Sequence, residues 1–264
     1  MNLFTTYLQV GMVILGLMSL LWLLSLALKD ASIVDIFWGT GFVISGWVYY
    51  ALTPDNLPAR KLLLMALVTI WGLRLAGYIA WRNLGKGEDY RYQQWRQEHG
   101  QRWWYRSFFQ VFLLQGFLMW IIGLPLLAAQ YYTGLTRLTW LDWLGVVVWA
   151  IGFAFEALGD WQLSRFKANP ANKGKLLTSG VWRYTRHPNY FGDAAQWWGF
   201  YLFALATGSG WWTFISPLIM SYFLRYVSGV TMLEKSLKDS KPGYAEYVQS
   251  TNAFIPWFPR KKKG

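Results

Sequence analysis

Read from its N-terminus, the chain alternates long apolar runs with polar intervals. Runs near the length of about 20 residues that crosses a bilayer occupy 8–28, 32–52, 62–80, 108–130, 140–163, 190–208 and 211–233. The intervals at 81–107 and 164–188, and the tail after 233, are too polar for lipid. This pattern predicts an all-α fold: a polytopic integral membrane bundle of about seven transmembrane helices. The opening MNLFTTYLQV has no basic region ahead of its apolar run, so the first run reads as a retained helix and not as a cleaved leader. No repeat or low-complexity linker divides the chain, and residues 1–264 read as a single membrane-embedded domain.

Composition strengthens this reading. The 264 residues are 55% hydrophobic, 20% aromatic and 14% charged, whereas soluble domains carry about 25% charged residues. The 19 Trp residues suit interfacial belts. Cys is absent, which removes a disulfide framework, a thiol nucleophile and Cys-based metal sites. The net charge of +12 is divided among intervals between apolar runs and makes no continuous stripe for nucleic acid.

Lys and Arg also set an orientation. Arg82, Lys86, Arg91, Arg96, Arg102 and Arg106 fall in 81–107; Arg165, Lys167, Lys173, Lys175, Arg183 and Arg186 fall in 164–188. The tail adds Lys235, Lys238, Lys241 and Arg260 to Lys263. These intervals alternate to one face, which is expected to be cytosolic with the N-terminus outside. Arg60, Lys61 and Arg137 fall on the other side. Asp35, Arg74, Glu156, Asp160, Asp193 and Arg225 lie inside apolar runs, and Glu234 borders the last one. Charge at membrane depth is costly and points to function; mutual pairing or snorkelling is the plainer alternative, and it suits Glu234.

The stretch SGVWRYTRHPNYFGDAAQWWGFY, residues 179–201, sets Arg183, Arg186 and His187 before Pro188 at the edge of an apolar run. Pro188 disfavours helix at His187 and suits the first turn of a helix beginning there. Free N–H groups at that start, with the three basic side chains, would form an anion site; a plain positive flank explains the same residues. Gly192 admits close approach by a ligand or by another helix. No G-x-G-x-x-G, Walker A, H-E-x-x-H or G-x-S-x-G motif occurs, and His99 and His187 alone make no metal cluster.

The string TSGVWRYTRHPNYFGDAAQWWG resembles the steroid 5α-reductase-like family of integral membrane enzymes, in its bacterial DUF1295 branch. VDIFWGTGF, GLRLAGY, GKGEDYRY and SGVTMLEKSLKDSKPGYAEYVQSTNAFIPWFP extend the resemblance over about residues 33–259. Relatives include sterol reductases and the isoprenylcysteine and phospholipid methyltransferases, which share the R-H-P-x-Y-x-G core. The resemblance implies NADPH bound from the cytosolic side, mainly by a cofactor half at about 140–264. It implies contacts from Asn189 and Asp193 and from Asp160 in the fifth helix; the anion-site reading of the helix start adds Arg183, Arg186, His187 and Tyr190 as cofactor-binding candidates. Lys167 and Lys175 would meet phosphates. Arg74, Asn83 with Arg82 or Lys86, and Arg225 would complete the shell. Gly229 and Leu233 stand near the places where animal reductases have His and Tyr.

The implied reaction is hydride addition to a conjugated enone such as a 3-oxo-4-ene. Negative charge then develops on the ketone oxygen, and a preorganised donor stabilises it. The family uses an acid of the second helix with an aromatic residue of the third, which here means Asp35 with Trp71 or Tyr78. A carboxyl in an apolar site can stay protonated and donate. Ser32-Ile33-Val34-Asp35 also matches a capping box at a helix start, so Asp35 reads as donor, as cap, or as both. The alternatives are a SAM-dependent methyltransferase on the same scaffold and a non-catalytic lipid-binding membrane protein. Glu234 followed by Lys235 departs from the paired acids of the methyltransferases. The expected partners are a lipophilic small molecule entering from the bilayer and membrane lipids, with the chain a monomer in a bacterial inner membrane.

Overall fold

The computed structural model describes residues 2–54, 57–83, 85–132, 134–227, 229–231, 233–234, 237 and 241–260. Lys235, Lys238, Lys261, Lys262 and Lys263 therefore lie outside the described residues. No strand occurs among those described. Leu3–Leu28, Pro58–Asn83, Tyr90–Tyr131 and Trp140–Ala168 are long and apolar enough to cross a membrane. The chain is an all-helical membrane protein. The other three runs expected to span are also largely helical. Chain contacts divide the molecule into two compact units, Met1–Leu138 with Phe203–Thr213, and Thr139–Leu202 with Phe214–Gly264.

The first unit contains α1 (Leu3–Leu28), α2 (Ile33–Leu52), α3 (Pro58–Asn83) and α4 (Tyr90–His99). The chain then runs through α5 (Trp103–Ser107), a π-helical turn at Phe108–Leu113, α6 (Leu114–Ile122) and α7 (Leu124–Tyr131). Asn2 caps α1 by accepting from the Thr5 N–H at 2.7 Å. Helices α2 and α3 pack backbone to backbone. A Cβ added at Gly72 would lie 2.6 Å from the Gly39 carbonyl oxygen. Trp71, fully buried, fills the adjacent space with its ring 5.8 Å from that of Phe42.

Two expectations change here. The 81–107 interval is not a loop: Asp89 accepts from the Arg91 N–H at 3.0 Å and starts α4. The Ser32/Asp35 capping box is not formed. Ser32 instead donates its hydroxyl to Asp30, while Asp35 reaches Arg91 and Tyr92. Arg60 and Lys61, by contrast, are buried, being only 3% and 4% exposed. Lys61 Nζ donates to the carbonyls of Tyr50, Thr53 and Pro54 at 3.0, 3.1 and 3.3 Å, where α2 ends. Arg60 donates to the carbonyls of Ala129 and Phe203. Both cations thus satisfy carbonyls that helix ends leave open, where the helix dipole is negative.

The second unit contains α8 (Trp140–Ala168), most of α9 (Pro188–Ala206), α10 (Ile215–Tyr222) with a π-helical turn at Phe223–Val227, and α11 (Tyr244–Ser250). A capping box does form at α8. Thr139 Oγ1 accepts from the Asp142 N–H at 3.3 Å, and Asp142 accepts from the Thr139 N–H at 2.8 Å. As expected, α9 starts at Pro188.

Candidate functional site

Helices α8 and α9 run antiparallel, joined along glycines seven residues apart: Gly145, Gly152 and Gly159 on α8, Gly192 and Gly199 on α9. A Cβ at Gly152 would lie 2.6 Å from the Gly192 carbonyl oxygen, one at Gly199 would lie 2.9 Å from that of Gly145, and one at Gly159 would lie 3.0 Å from Pro188 Cγ. Small residues of this kind let helix backbones meet closely in lipid. The space beside Gly192 is therefore filled by α8, which decides between the helix and the ligand.

The same pairing buries polar side chains. Glu156 and Asp160 are one turn apart on α8; Asn189, Asp193 and Gln196 share a face of α9 by their spacing. Gln196 Nε2 donates to Glu156 Oε2 at 2.6 Å and to the Gly192 carbonyl at 3.2 Å. Asn189 Nδ2 lies 3.4 Å from Asp160 Oδ1, a long donor contact. Glu156, Asp160, Asp193 and Gln196 are all buried. Of the predicted residues, Asp160 and Asn189 are thus brought together, with Asp193 one turn further along α9. Gln196 and the glycine spacing were not singled out from sequence. The seven-residue repeat was their visible signal.

Arg186 and His187 occupy a different role from phosphate donors. Arg186 Nε and Nη2 lie 2.8 and 2.6 Å from Glu234 Oε1, and His187 Nε2 lies 3.3 Å from the same oxygen. Arg186 also donates to the carbonyls of Val248 and Thr251 and, through its N–H, to that of Asn252 at 2.9 Å. Both side chains are buried, so their polar ends hold the C-terminal segment and are not presented to an external anion. Burial opposes ionisation of Glu234, but the hydrogen bonds from His187 and Arg186 and the Arg186 charge prevail and hold its pKa down at about 2. Tyr190 stacks on the His187 ring at 5.7 Å and packs against Ala194, Val230 and Phe254.

Lys167, Lys175 and Arg183 are exposed around the 169–187 connection. Arg225 is also exposed, with its guanidinium 5.1 Å from the Tyr226 ring centre.

In the first unit, Trp71, Arg74, Tyr78 and Arg82 fall on one stripe of α3 by their spacing. Arg74 and Tyr78 are half-buried and Arg82 is exposed. The Arg82 guanidinium sits 5.7 Å from the Tyr78 ring centre, and its Nε donates to Asn83 Oδ1 at 3.3 Å. Lys86 is exposed, and its N–H donates to the Asn83 carbonyl at 3.0 Å. Asp35 accepts from Arg91 Nη2 at 2.9 Å and from the Tyr92 hydroxyl at 2.7 Å, while Gln115 donates to that hydroxyl at 3.3 Å. In this arrangement Asp35 is an acceptor that ties the start of α2 to α4. Its partners sit in GKGEDYRY, a string that resembled the family without naming a contact.

Residues 21–251 match the family described as "Protein of unknown function (DUF1295)". The chain belongs to that family. It is 28% identical over 268 residues to "Uncharacterized protein C594.04c" of Schizosaccharomyces pombe, covering 90% of this chain and 76% of the relative. It is 31% identical over 144 residues to the Delta(14)-sterol reductase of Ascobolus immersus, covering 49% of this chain and 31% of that one. A 46-residue stretch is 41% identical to the "Probable O-methyltransferase ustE" of Ustilaginoidea virens, covering 17% of this chain and 16% of that one. The chain thus spans less than a third of either of these last two relatives. No solved structure matches it.

Proposed function

We propose that this protein is a membrane reductase that saturates a conjugated carbon–carbon double bond in a lipophilic enone, using NADPH. The observation that carries the reading is the part-buried Asp160–Asn189 contact at the start of α9, with buried Asp193 a turn along, in a chain similar to a sterol reductase. This donor set fits the cofactor in part. An amide beside carboxylates can bind amide and hydroxyl groups, and the exposed Lys167, Lys175 and Arg183 suit phosphates. Arg186 and His187 do not fit that task, because Glu234 engages them.

When bound, NADPH supplies the hydride. The chain's own part is to fix the polar ends through Asn189, Asp160 and Asp193, and to offer a donor where charge gathers on the substrate oxygen. Asp35 accepts from Arg91 and Tyr92, and Trp71 packs on Phe42. We therefore assign the donor to the Tyr78 hydroxyl, with Arg74 on the same stripe of α3. In this reading the cofactor site faces the cytosol, the N-terminus is outside, and the protein works as a monomer in a bacterial inner membrane.

The test is a titration of NADPH, NADH and SAM into detergent-purified protein, followed by turnover of a 3-oxo-4-ene steroid as probe. NADPH is expected to bind well ahead of NADH, since exposed cations favour its extra phosphate. Equal affinity for the two nicotinamides would remove the assignment of the Lys/Arg set. Binding of SAM without NADPH would establish the methyltransferase reading, which the 46-residue similarity to an O-methyltransferase favours.

A further inference from the structure

The C-terminal segment carries an apolar point that the fold leaves in the open. Ile255, Trp257 and Phe258 are 61%, 66% and 74% exposed. The segment is braced all the same. The Trp257 N–H donates to the Tyr184 carbonyl at 2.9 Å, and the Arg260 N–H donates to that of Ser250 at 2.8 Å. Asn252 Nδ2 donates to the Ile255 carbonyl at 3.3 Å, and the Phe258 ring meets Tyr184 edge-on at 6.0 Å. Pro256 and Pro259 restrict the backbone on either side of the two aromatics. The three side chains are thus held outward by backbone bonds, not left loose.

The level of this point along α8 is set by a chain of contacts. Tyr184 closes the short turn Gly180–Arg183. Within that turn Trp182 Nε1 donates to the Gly159 carbonyl at 3.1 Å, and the Val181 N–H donates to Gln162 at 3.1 Å. These are the last turns of a helix long and apolar enough to cross a membrane. At the same level Trp161 is exposed, with the Arg165 guanidinium 5.1 Å from its ring centre. Exposed Trp with Arg beside it at the end of a spanning helix marks a headgroup level. Charge then selects the lipid. Residues 251–264 contain no Asp or Glu, and Arg183 and Arg260 are exposed around the apolar point.

We propose that Ile255, Trp257 and Phe258 form a wedge that enters the bilayer interface, with Arg183 and Arg260 binding anionic phospholipid headgroups beside it. The occupant is a lipid surface, because the apolar groups are small in number and lie beside the exposed Arg183 and Arg260, the pattern of an interfacial anchor. The wedge fixes the 179–187 segment that leads into α9, and its binding is independent of any reaction at the Asp160–Asn189 site.

The protein is reconstituted in nanodiscs of phosphatidylcholine with either brominated phosphatidylcholine or brominated phosphatidylglycerol at equal mole fraction. Bromine quenching of Trp257 is taken as the difference between the wild-type chain and Trp257→Phe. Both lipids are expected to quench Trp257, and phosphatidylglycerol more strongly. That preference should fall roughly fivefold in Arg260→Gln, the weight of one basic side chain at an anionic surface, and fall again at high salt. Iodide quenching of Trp257 in the nanodisc with no bromine effect would place the wedge in water and overturn the proposal. Equal quenching by the two lipids, unchanged in Arg183→Gln/Arg260→Gln, would overturn the anionic selectivity. Concentration-dependent association in detergent that disappears in Trp257→Ser/Phe258→Ser would show a second copy as the occupant, and would also overturn it.

Discussion

The α2/α3 and α8/α9 pairs use the same closure and bury different things. In each, a glycine carbonyl of one helix sits against a glycine of the other. Around Gly39 and Gly72 the neighbours are Val43, Phe42 and Trp71. Around Gly152 and Gly192 they are Glu156 and Gln196, with Asp160 and Asn189 next along the pair. Close packing by small residues is thus a general device for joining helices in lipid. Burial of carboxylates costs free energy, and it distinguishes the second pair as a candidate site.

The strongest way to break the comparison is to widen each pair. Gly192→Leu and Gly39→Leu are both expected to abolish the folded yield, because a branched side chain would have to occupy backbone space, and overpacking costs at least about 1–3 kcal/mol. The alanine versions separate the pairs. Gly192→Ala should lose NADPH retention in the fraction that folds, whereas Gly39→Ala should keep it. Gel-filtration yield and bound nucleotide are the measurements, and equal retention in the two would deny the second pair its special role.

Acid should act next. A carboxyl whose pKa falls on folding stabilises the folded state above its unfolded pKa of 4.5 and loses that contribution as pH drops towards about 2. The Glu234 contribution is on the order of 3 kcal/mol. The wild-type unfolding midpoint should therefore decline across that window, and Glu234→Gln should flatten the decline and start lower at neutral pH. An unchanged slope in the variant would move the acid sensitivity to another carboxylate.

A smaller effect is expected from Asn189→Ala, which removes one polar contact worth about 1–3 kcal/mol. NADPH affinity should fall by about tenfold or more, with the melting midpoint nearly constant. Aggregation with nucleotide still bound would instead make Asn189 a packing residue. The smallest effect belongs to Asp35→Asn, which weakens a part-exposed pair with Arg91 worth about 1 kcal/mol. Thermal stability should drop slightly while turnover per folded molecule is kept. A loss of turnover at constant stability would return Asp35 to the donor role.

Membrane helices were legible because lipid forces apolar residues into runs of a set length. The start of α9 was legible too, since Pro188 restricts both itself and His187 locally. What stayed hidden depended on partners distant in the chain. Thr139 and Ser32 each begin the same pattern, a hydroxyl followed three residues later by Asp. At Thr139 the box closes; at Ser32 the hydroxyl goes to Asp30 and the carboxylate to Arg91 and Tyr92. Arg186 and His187 looked like ligands for an anion until Glu234 was found to be that anion.

Local restriction and the cost of polar groups in lipid act on each segment alone, and from them the sequence by itself determined where helices run and where several of them begin. Which charge meets which was decided only in the tertiary structure. A buried ion takes its partner from whatever the packing brings within about 4 Å, and residues 186 and 234, or 35 and 91, are neighbours only after folding.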